Sequence, residues 1–519
     1  MKKLFPNSAF SFNKTDISSV LISYIIINLA FLFHSLNFMW GNHDVKFVKE
    51  QLFLNSGLFE GRFTQFIPHF ILTNGQILPV LNNLIGFLFL TLGLWLLAKY
   101  WNIPKSRLNY ILFIAFFSTQ PYTLSWLYFT FITISCLLWV FVAILGLYIS
   151  SFINQSANKI TLSTIAVLCF YLTLGGYPPI INTYAVCMAG KVIISYLYEK
   201  KSIKDIFNTL KYTILNLIIA VILYKITLVF ITPDNVYNLE LSPIKDMPQK
   251  FLSSLKISFS QFFVSQPFMG KGYKITLFIM SLSAIIMSLF TPKTIKQKAL
   301  TLLFTIGIIW STALTTFLVV PHTEYVSRID FYGYAFLYAF FLSLLLHSKH
   351  KLSQSLALIF MLILIPLNIL NDYHALKIWK QGFDSEIQIL DRVIERVENH
   401  HNFNPKTKYR YYQIGDISLR PNYYNHNHEK DDVFLLSLPY LANWQGTRLL
   451  EFYSPFKYIN HDITILPSDI TPDVYDFFIN HAQPWPHKNS IFIKNDFIII
   501  IYHPQSLQEF KDKIIQLHR

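Results

Sequence analysis

Long apolar segments alternate with short polar ones along most of the chain. A helix needs about 20 consecutive, mostly apolar residues to cross the hydrocarbon core of a bilayer. The pattern predicts eleven membrane-spanning helices, at about residues 18–39, 76–98, 108–121, 124–149, 160–174, 179–198, 211–232, 274–290, 299–320, 331–346 and 354–371. We therefore predict a polytopic α-helical membrane protein.

The composition agrees with this prediction. Soluble domains carry about 25% charged residues, whereas this chain carries 14% and is 53% hydrophobic, with a mean hydropathy of +0.39. The formal net charge of +14 is compatible with a nucleic acid or anionic lipid partner. We favour a different origin, because short cytoplasmic loops of membrane proteins accumulate Lys and Arg. No nucleic acid partner is expected, and the lipid bilayer is the expected surroundings.

The basic residues also predict the orientation in the membrane. They concentrate in the N-terminal segment and in the loops after the second, fourth, sixth, eighth and tenth predicted spans, whereas the turns at 118–123 and 175–179 carry none. The positive-inside rule then places the N-terminus in the cytoplasm. With eleven spans, the C-terminal segment and the loops at 40–75 and 233–273 lie outside.

Residues 372–519 have a different pattern. Ile387, Leu390, Ile394 and Val397 recur at helical spacing, and the runs "VFLLSL", "DITILP" and "FIIIIY" are typical of short strands. We predict a transmembrane domain at 1–371 and a small extracytoplasmic α/β domain at 372–519.

One predicted outer loop is rich in charged residues, whereas the flanking sequence has almost none. The loop reads "WGNHDVKFVKEQLFLNSGLFEGRF". Asp44 follows the first span closely, which places it near the membrane boundary. Arg62 follows Gly61 and precedes "FTQFIPHFIL", an apolar stretch too short to span, which indicates an interfacial or re-entrant helix. We expect the loop to fold against the membrane with Asp44 and Arg62 in a common cleft. A structural ion pair is the alternative.

A carboxylate and a guanidinium together suit the transfer of a group from a phosphate-linked donor. A carboxylate accepts the proton of an attacking hydroxyl, and a guanidinium binds phosphate through two parallel hydrogen bonds. Glu60 is a second candidate base, or a solvated loop acid. His43 is a candidate for binding phosphate, or packs beside Trp40. Arg328 lies in an outer turn between apolar spans, where charge is costly unless it is used.

Several stretches resemble bacterial O-antigen glucosyltransferases of the phage-type seroconversion kind (Gtr). These are "GNHD", "EGRF" followed by "LPVLNNLIGFLFL", "FYLTLGGYPPIINTY" and "PHTEYVSRIDFYGY". The resemblance implies the GT-C-type fold of membrane glycosyltransferases that use polyprenyl-phosphate sugars, with the active site at the outer face. Val45 stands where that family commonly has a second acid, so one carboxylate rather than a pair is expected. Pro178 stands where an amide side chain is usual.

Seven residues are predicted to form the site, and the resemblance places Asp44, Arg62 and Arg328 in it. The catalytic carboxylates are Asp44 and, in reserve, Glu60. The predicted donor-phosphate site consists of Arg62, Arg328 and His43, and the predicted substrate-binding residues are Tyr177 and Tyr122.

The predicted function is transfer of a sugar, glucose by resemblance, from a polyprenyl-phosphate donor to a surface polysaccharide, lipopolysaccharide or lipid-linked glycan. The expected location is the outer face of the bacterial inner (plasma) membrane, and neither a cofactor nor a metal is expected. One alternative is an O-antigen polymerase or ligase. Another is a polysaccharide or lipid transporter, which would carry paired charges deep within several spans.

Overall fold

The computed structural model describes residues 12–37, 39, 41, 44, 57–231, 244–263, 269–292, 294–318, 329, 331–415, 453–454, 458–459 and 470–518. The chain divides into two compact units. The first comprises Met1–Phe38 and Leu52–His374, and the second comprises Met39–Gln51 and Ala375–Arg519. The assignment of 1–371 and 372–519 as a transmembrane and a periplasmic domain stays a prediction.

Helices make up the first unit. They are α1 (Lys14–Ala30), α2 (Leu32–Leu36), α3 (Ile67–Thr73), α4 (Pro79–Tyr100), α5 (Arg107–Ser118), α6 (Pro121–Leu127), α7 (Thr133–Ser150), α8 (Lys159–Gly176), α9 (Ile181–Leu197), α10 (Ile203–Ile231), α11 (Met247–Phe263), α12 (Lys271–Phe290), α13 (Ile295–Ser311), α14 (Leu314–Leu318), α15 (Phe336–His347) and α16 (Lys351–Glu398). A π-helical turn, Phe331–Ala335, precedes α15. Helix α16 contains the boundary between the two units.

The length and apolarity of these helices confirm a polytopic α-helical membrane protein. Within the described residues, seven helical segments are long and apolar enough to cross a bilayer. The apolar side chains of α10 are largely exposed, among them Phe207, Ile218 and Val229. Water disfavours such a continuous apolar surface, whereas lipid solvates it. The count of eleven crossings, the inner-membrane location and the orientation stay predictions.

One helix of the first unit, α11, lies within residues 233–273, which the apolar pattern predicts to be a loop. Helix α11 packs through small polar residues: the indole N–H of Trp310 donates to the Ser254 hydroxyl at 2.9 Å. The hydroxyl of Tyr334 donates to the Ser258 carbonyl at 2.7 Å. Ser254 and Ser258 are fully buried. Because serines alternate with apolar residues on its packed face, α11 lacks the apolar run that marks a span.

An ion-pair network lies just beyond the C-terminal end of α9. The Glu199 carboxylate accepts hydrogen bonds from Lys191 at 2.8 Å, Asn102 at 2.6 Å and Ser195 at 3.0 Å. The ammonium group of Lys201 lies 2.6 Å from the same carboxylate. Since Lys191 is itself buried, its charge depends on Glu199 for compensation.

The second unit contains a small sheet with helices packed on it, which agrees with the predicted α/β type. The strands are β1 (Tyr409–Ile414), β2 (Tyr458–Ile459), β3 (Ile491–Lys494) and β4 (Phe497–Ile501), and the described helices after β1 are α17 (Pro472–Asp476) and α18 (Pro504–His518). The strand order is β2-β1-β4-β3, parallel except for the β3–β4 pair. The "FIIIIY" run thus forms the predicted strand. The core of the second unit is apolar and includes Ile499, Ile501, Leu507, Phe510 and Ile514.

Candidate functional site

The "EGRF" segment forms a tight turn. The backbone N–H of Arg62 donates to the Gly57 carbonyl at 2.9 Å, and that of Gly61 donates to the Leu58 carbonyl at 3.0 Å. Gly61 has a φ of 67°, a left-handed conformation that side chains disfavour. A Cβ at Gly57 would lie 2.4 Å from the Arg62 carbonyl oxygen. Both glycines are therefore needed for the turn that presents Arg62.

This turn is docked on the C-terminal end of α8. The backbone N–H of Thr64 donates to the Gly175 carbonyl at 3.0 Å, and the Thr64 hydroxyl donates to the Leu172 carbonyl at 2.6 Å. The ring of Phe63 covers Gly175 so closely that a Cβ there would lie 2.5 Å from the Phe63 Cζ. The Gly-Gly pair of the "LTLGGYPP" stretch thus provides the space into which the Arg62 turn fits.

The Arg62 side chain lies over an aromatic ring and beside a carboxylate. Its guanidinium carbon is 5.0 Å from the centroid of the Tyr177 ring. It forms an ion pair with Glu60, and the Arg62 side chain keeps 29% of its surface exposed. The hydroxyl of Tyr224 donates to the Gly61 carbonyl at 3.3 Å. The structure therefore brings together three of the predicted site residues, Glu60, Arg62 and Tyr177.

Aromatic residues that the sequence analysis did not single out surround Tyr177. The Trp126 ring lies edge-on to Tyr177 at 5.1 Å and 5.5 Å from the ring of Tyr332, and the Tyr177 and Tyr332 centroids are 5.4 Å apart. The Trp139 indole packs against Gly176, where a Cβ would lie 2.4 Å from its nitrogen. Aromatic residues inside apolar segments look like lipid-facing or core residues in a sequence, so only the Gly-Gly pair hinted at this packing.

Two of these aromatic residues carry unused donors. Trp126 and Trp139 are buried, and within the described part of the chain their indole N–H groups have no hydrogen-bond acceptor. A buried N–H without an acceptor costs free energy. A hydroxyl or phosphate oxygen is a chemically suitable acceptor for such a donor. The arrangement thus offers a cation, a carboxylate and N–H donors around one aromatic cluster.

Helix α3 follows the Arg62 turn and is short, as predicted. Its exposed side chains are apolar, with Phe70 at 40% and Ile71 at 72% exposure, whereas His69 is fully buried. Burial lowers the pKa of His69 to about 3, so the ring is neutral at physiological pH. Exposed apolar side chains on one face of a helix suit contact with lipid better than contact with water. Its interfacial or re-entrant position stays a prediction.

Asp44, the predicted base, belongs to the second unit, whereas Glu60, Arg62 and Tyr177 belong to the first. Its carboxylate accepts the backbone N–H of Gly41 at 2.8 Å, and the residue is only 1% exposed. A common cleft for Asp44 and Arg62 stays a prediction. His43 and Arg328 lie outside the described residues.

Tyr122 belongs to a stack of tyrosines. Its ring lies 6.5 Å from those of Tyr334 and Tyr338, and it is buried. Its predicted role in substrate binding stays a prediction. Among the described residues, no group of three or more His, Cys, Asp or Glu side chains is placed to hold a metal ion.

Comparison with known proteins gives one match. A family model described as "Glucosyl transferase GtrII" matches residues 50–344. The matched region includes Glu60, Arg62, Tyr122, Tyr177 and Arg328 and ends within α15. No curated protein and no solved structure matches the chain.

Proposed function

Because the chain belongs to the GtrII family of glucosyl transferases, we propose that it transfers glucose from a polyprenyl-phosphate donor to a surface polysaccharide, lipopolysaccharide or lipid-linked glycan. The proposed site of reaction is the outer face of the bacterial inner membrane, with the N-terminus in the cytoplasm and the second unit in the periplasm. The membrane-spanning helices and the exposed apolar face of α3 support a lipid-linked donor, since such a donor is delivered within the bilayer.

The observation that carries this proposal is the position of Arg62 over the Tyr177 ring. A guanidinium is always charged and matches phosphate geometry with parallel N–H donors. Stacking on an aromatic ring and pairing with Glu60 hold the group in one place before a ligand arrives. Its remaining exposure leaves room for a donor phosphate. Preorganised charge of this kind stabilises the leaving group as the sugar departs.

In the proposed reaction the acceptor hydroxyl oxygen bonds to the anomeric carbon of glucose. The bond between that carbon and the phosphate oxygen breaks, and its electron pair leaves with the polyprenyl phosphate. The proton of the acceptor hydroxyl passes to a carboxylate, for which Asp44 is the proposed base. The proposal covers transfer with inversion or with retention of configuration at that carbon.

Glu60 has a different proposed role. Its carboxylate pairs with Arg62 in the same turn, so it positions the guanidinium that binds phosphate. His43 and Arg328 are proposed to add to the phosphate site, and Tyr122 and Tyr177 to bind substrate. The N–H groups of Trp126 and Trp139 are proposed to bind hydroxyls of the sugar, because within the described residues they have no acceptor.

The experiment uses the full chain in proteoliposomes with radiolabelled polyprenyl-phosphate glucose and a set of acceptor glycans. We expect label to move to a glycan, and Asp44→Asn to lower kcat by about 100-fold or more, the usual contribution of a general base. Transfer from a nucleotide sugar in the absence of the lipid-linked donor would contradict the proposed donor. Movement of the intact lipid-linked sugar across the vesicle membrane without transfer would indicate a transporter instead.

A further inference from the structure

A basic cavity lies in the second unit, at the C-terminal end of α16. Its volume is about 530 Å³, and eight residues line it. Three of them are basic residues: Arg392, Arg396 and Lys488. Glu395 is the lining carboxylate, and Ile491 is the lining aliphatic residue. The lining therefore carries an excess of positive charge.

The two arginines are held in place by contacts with residues 485–487. The guanidinium carbons of Arg396 and Arg392 lie 4.2 Å and 5.3 Å from the ring centroid of Trp485. The Nη1 of Arg396 donates to the carbonyls of Pro486 and His487 at 2.8 Å and 3.1 Å. A guanidinium has five N–H donors, so these bonds fix its position while leaving donors on Nε and Nη2 for an anion. Burial and the neighbouring Arg392 lower the pKa of Arg396, whereas Glu395 raises it, so a further anion beside these arginines would be stabilised.

Two histidines complete the wall. The backbone N–H of Asn402 donates to the Nδ1 of His400 at 3.2 Å, so a neutral His400 ring carries its proton on Nε2. The rings of His400 and His401 are stacked with their centroids 4.5 Å apart. Burial and the neighbouring His401 lower the pKa of His400. A neutral His400 thus adds an N–H donor without adding to the repulsion between the cations.

From this arrangement we infer that the cavity binds an acidic saccharide, a sugar that bears a phosphate or a carboxylate. Paired arginines and a lysine suit an oxyanion. The volume lies in the range of about 300–1,000 Å³ that is typical of small-molecule sites, enough for a charged sugar rather than a lone ion. A lipid headgroup fits less well, since the lining offers one aliphatic residue to the acyl region. The inference concerns the second unit and does not rest on the proposed glucosyl transfer.

The test measures binding of three probes, glucose 1-phosphate, glucuronate and uncharged glucose, to the full chain in phosphatidylcholine nanodiscs by calorimetry. We expect the two acidic sugars to bind saturably and glucose not to bind. The double variant Arg392→Gln/Lys488→Gln is expected to weaken this binding by about tenfold or more, because hydrogen bonds to charged groups are the strong ones. The matched control is Lys406→Gln/Lys408→Gln, which removes the same charge from exposed lysines of the same unit.

One further variant separates the loss of charge from the loss of packing. Because Arg392 packs on Trp485, Lys488→Gln alone serves as a second variant that leaves this packing intact, and it is expected to weaken binding several-fold. Saturable binding that Arg392→Gln/Lys488→Gln does not weaken would place the probe elsewhere in the chain.

Four results would overturn the inference. They are no saturable binding, binding that Arg392→Gln/Lys488→Gln does not weaken, an equal loss in both double variants, and stronger competition by short-chain phosphatidylglycerol than by glucose 1-phosphate. The last of these would assign the cavity to a lipid headgroup.

Discussion

The guanidinium of Arg62 lies over the ring of Tyr177, 5.0 Å from its centroid. The two residues come from distant parts of the chain, and a glycine makes their meeting possible. Phe63 fills the space beside Gly175, and this contact brings the turn that carries Arg62 to the turn that carries Tyr177. The geometry of the site therefore depends on the fit between Phe63 and Gly175 as much as on the charged group.

Replacing Gly175 by alanine should displace the Arg62 turn. The new Cβ would lie 2.5 Å from the Phe63 ring, a distance that forces the ring to move. Because small misplacements of a binding group lower rates strongly, we expect transfer to fall by about 10- to 100-fold. Gly307→Ala is the matched control, since a Cβ there meets nothing within 4 Å. Equal activity of the two variants in the transfer assay would show that Phe63 does not hold the turn.

The Tyr177 ring should matter more than its hydroxyl. A cation over an aromatic ring gains about 0.5–2 kcal/mol, the larger value when water is excluded. Tyr177→Phe keeps the ring and is expected to keep the donor KM close to that of the wild type. Tyr177→Leu removes the ring and should raise the donor KM about 2- to 30-fold, the same free energy expressed as a ratio. A larger increase of the donor KM in Tyr177→Phe than in Tyr177→Leu would show that the hydroxyl, and not the ring, supports donor binding.

Glu60 and Asp44 should give different kinetic defects. The Glu60–Arg62 pair is partly exposed, and such pairs contribute about 0–1 kcal/mol. Glu60→Gln should therefore change the donor KM by no more than about fivefold and leave the pH profile of kcat in place. Asp44→Asn should instead abolish the limb of that profile that reports the base. If this limb disappeared in Glu60→Gln and remained in Asp44→Asn, Glu60 and not Asp44 would be the base.

The network around Glu199 should make stability depend on pH. Burial alone would raise the pKa of Glu199, but its ion pairs and hydrogen bonds with Lys191 and Lys201 outweigh burial and hold it at about 2, below its ordinary value of 4.5. A depressed carboxylate pKa stabilises the fold above the ordinary value, and this stability is lost as the pH falls towards the depressed one.

Glu199→Gln leaves the buried Lys191 uncompensated and should cost on the order of 3 kcal/mol at neutral pH. The difference in thermal unfolding midpoint between wild type and variant, measured in detergent, should shrink as the pH falls below 4.5. A difference that stays constant with pH would contradict the assigned network. Addition of Lys191→Met to the variant should restore part of the lost stability.

Sequence patterns predicted helices and strands best where apolar residues dominated the segment. Helix α10 is a long, mostly apolar segment and strand β4 is a short apolar run, and this difference in length distinguishes a span from a buried strand. Helix α11 was missed because its packing face uses Ser254 and Ser258, which lower the apolarity of the run. At the site, Gly61, Arg62 and the Gly-Gly pair could be singled out as motifs. The approach of Arg62 to Tyr177 could not, since it arises from tertiary packing.

The aromatic residues of the site show the same limit. Trp126 and Tyr332 lie in segments where aromatic residues are common for reasons of lipid contact and core packing. Their significance comes from the ring contacts with Tyr177 and from an indole N–H that has no acceptor within the described residues. Neither property can be predicted from hydrophobic periodicity.

Binding of the donor phosphate by Arg62 is the central claim, and the donor dependence of transfer in Arg62 variants tests it most directly. The full chain in proteoliposomes is assayed with radiolabelled polyprenyl-phosphate glucose, with donor and acceptor concentrations varied separately. We expect Arg62→Gln to lower kcat/KM for the donor by about 100- to 1,000-fold, Arg62→Lys to lower it less, and the acceptor KM to stay unchanged. A wild-type kcat/KM for the donor in Arg62→Gln would contradict the claim.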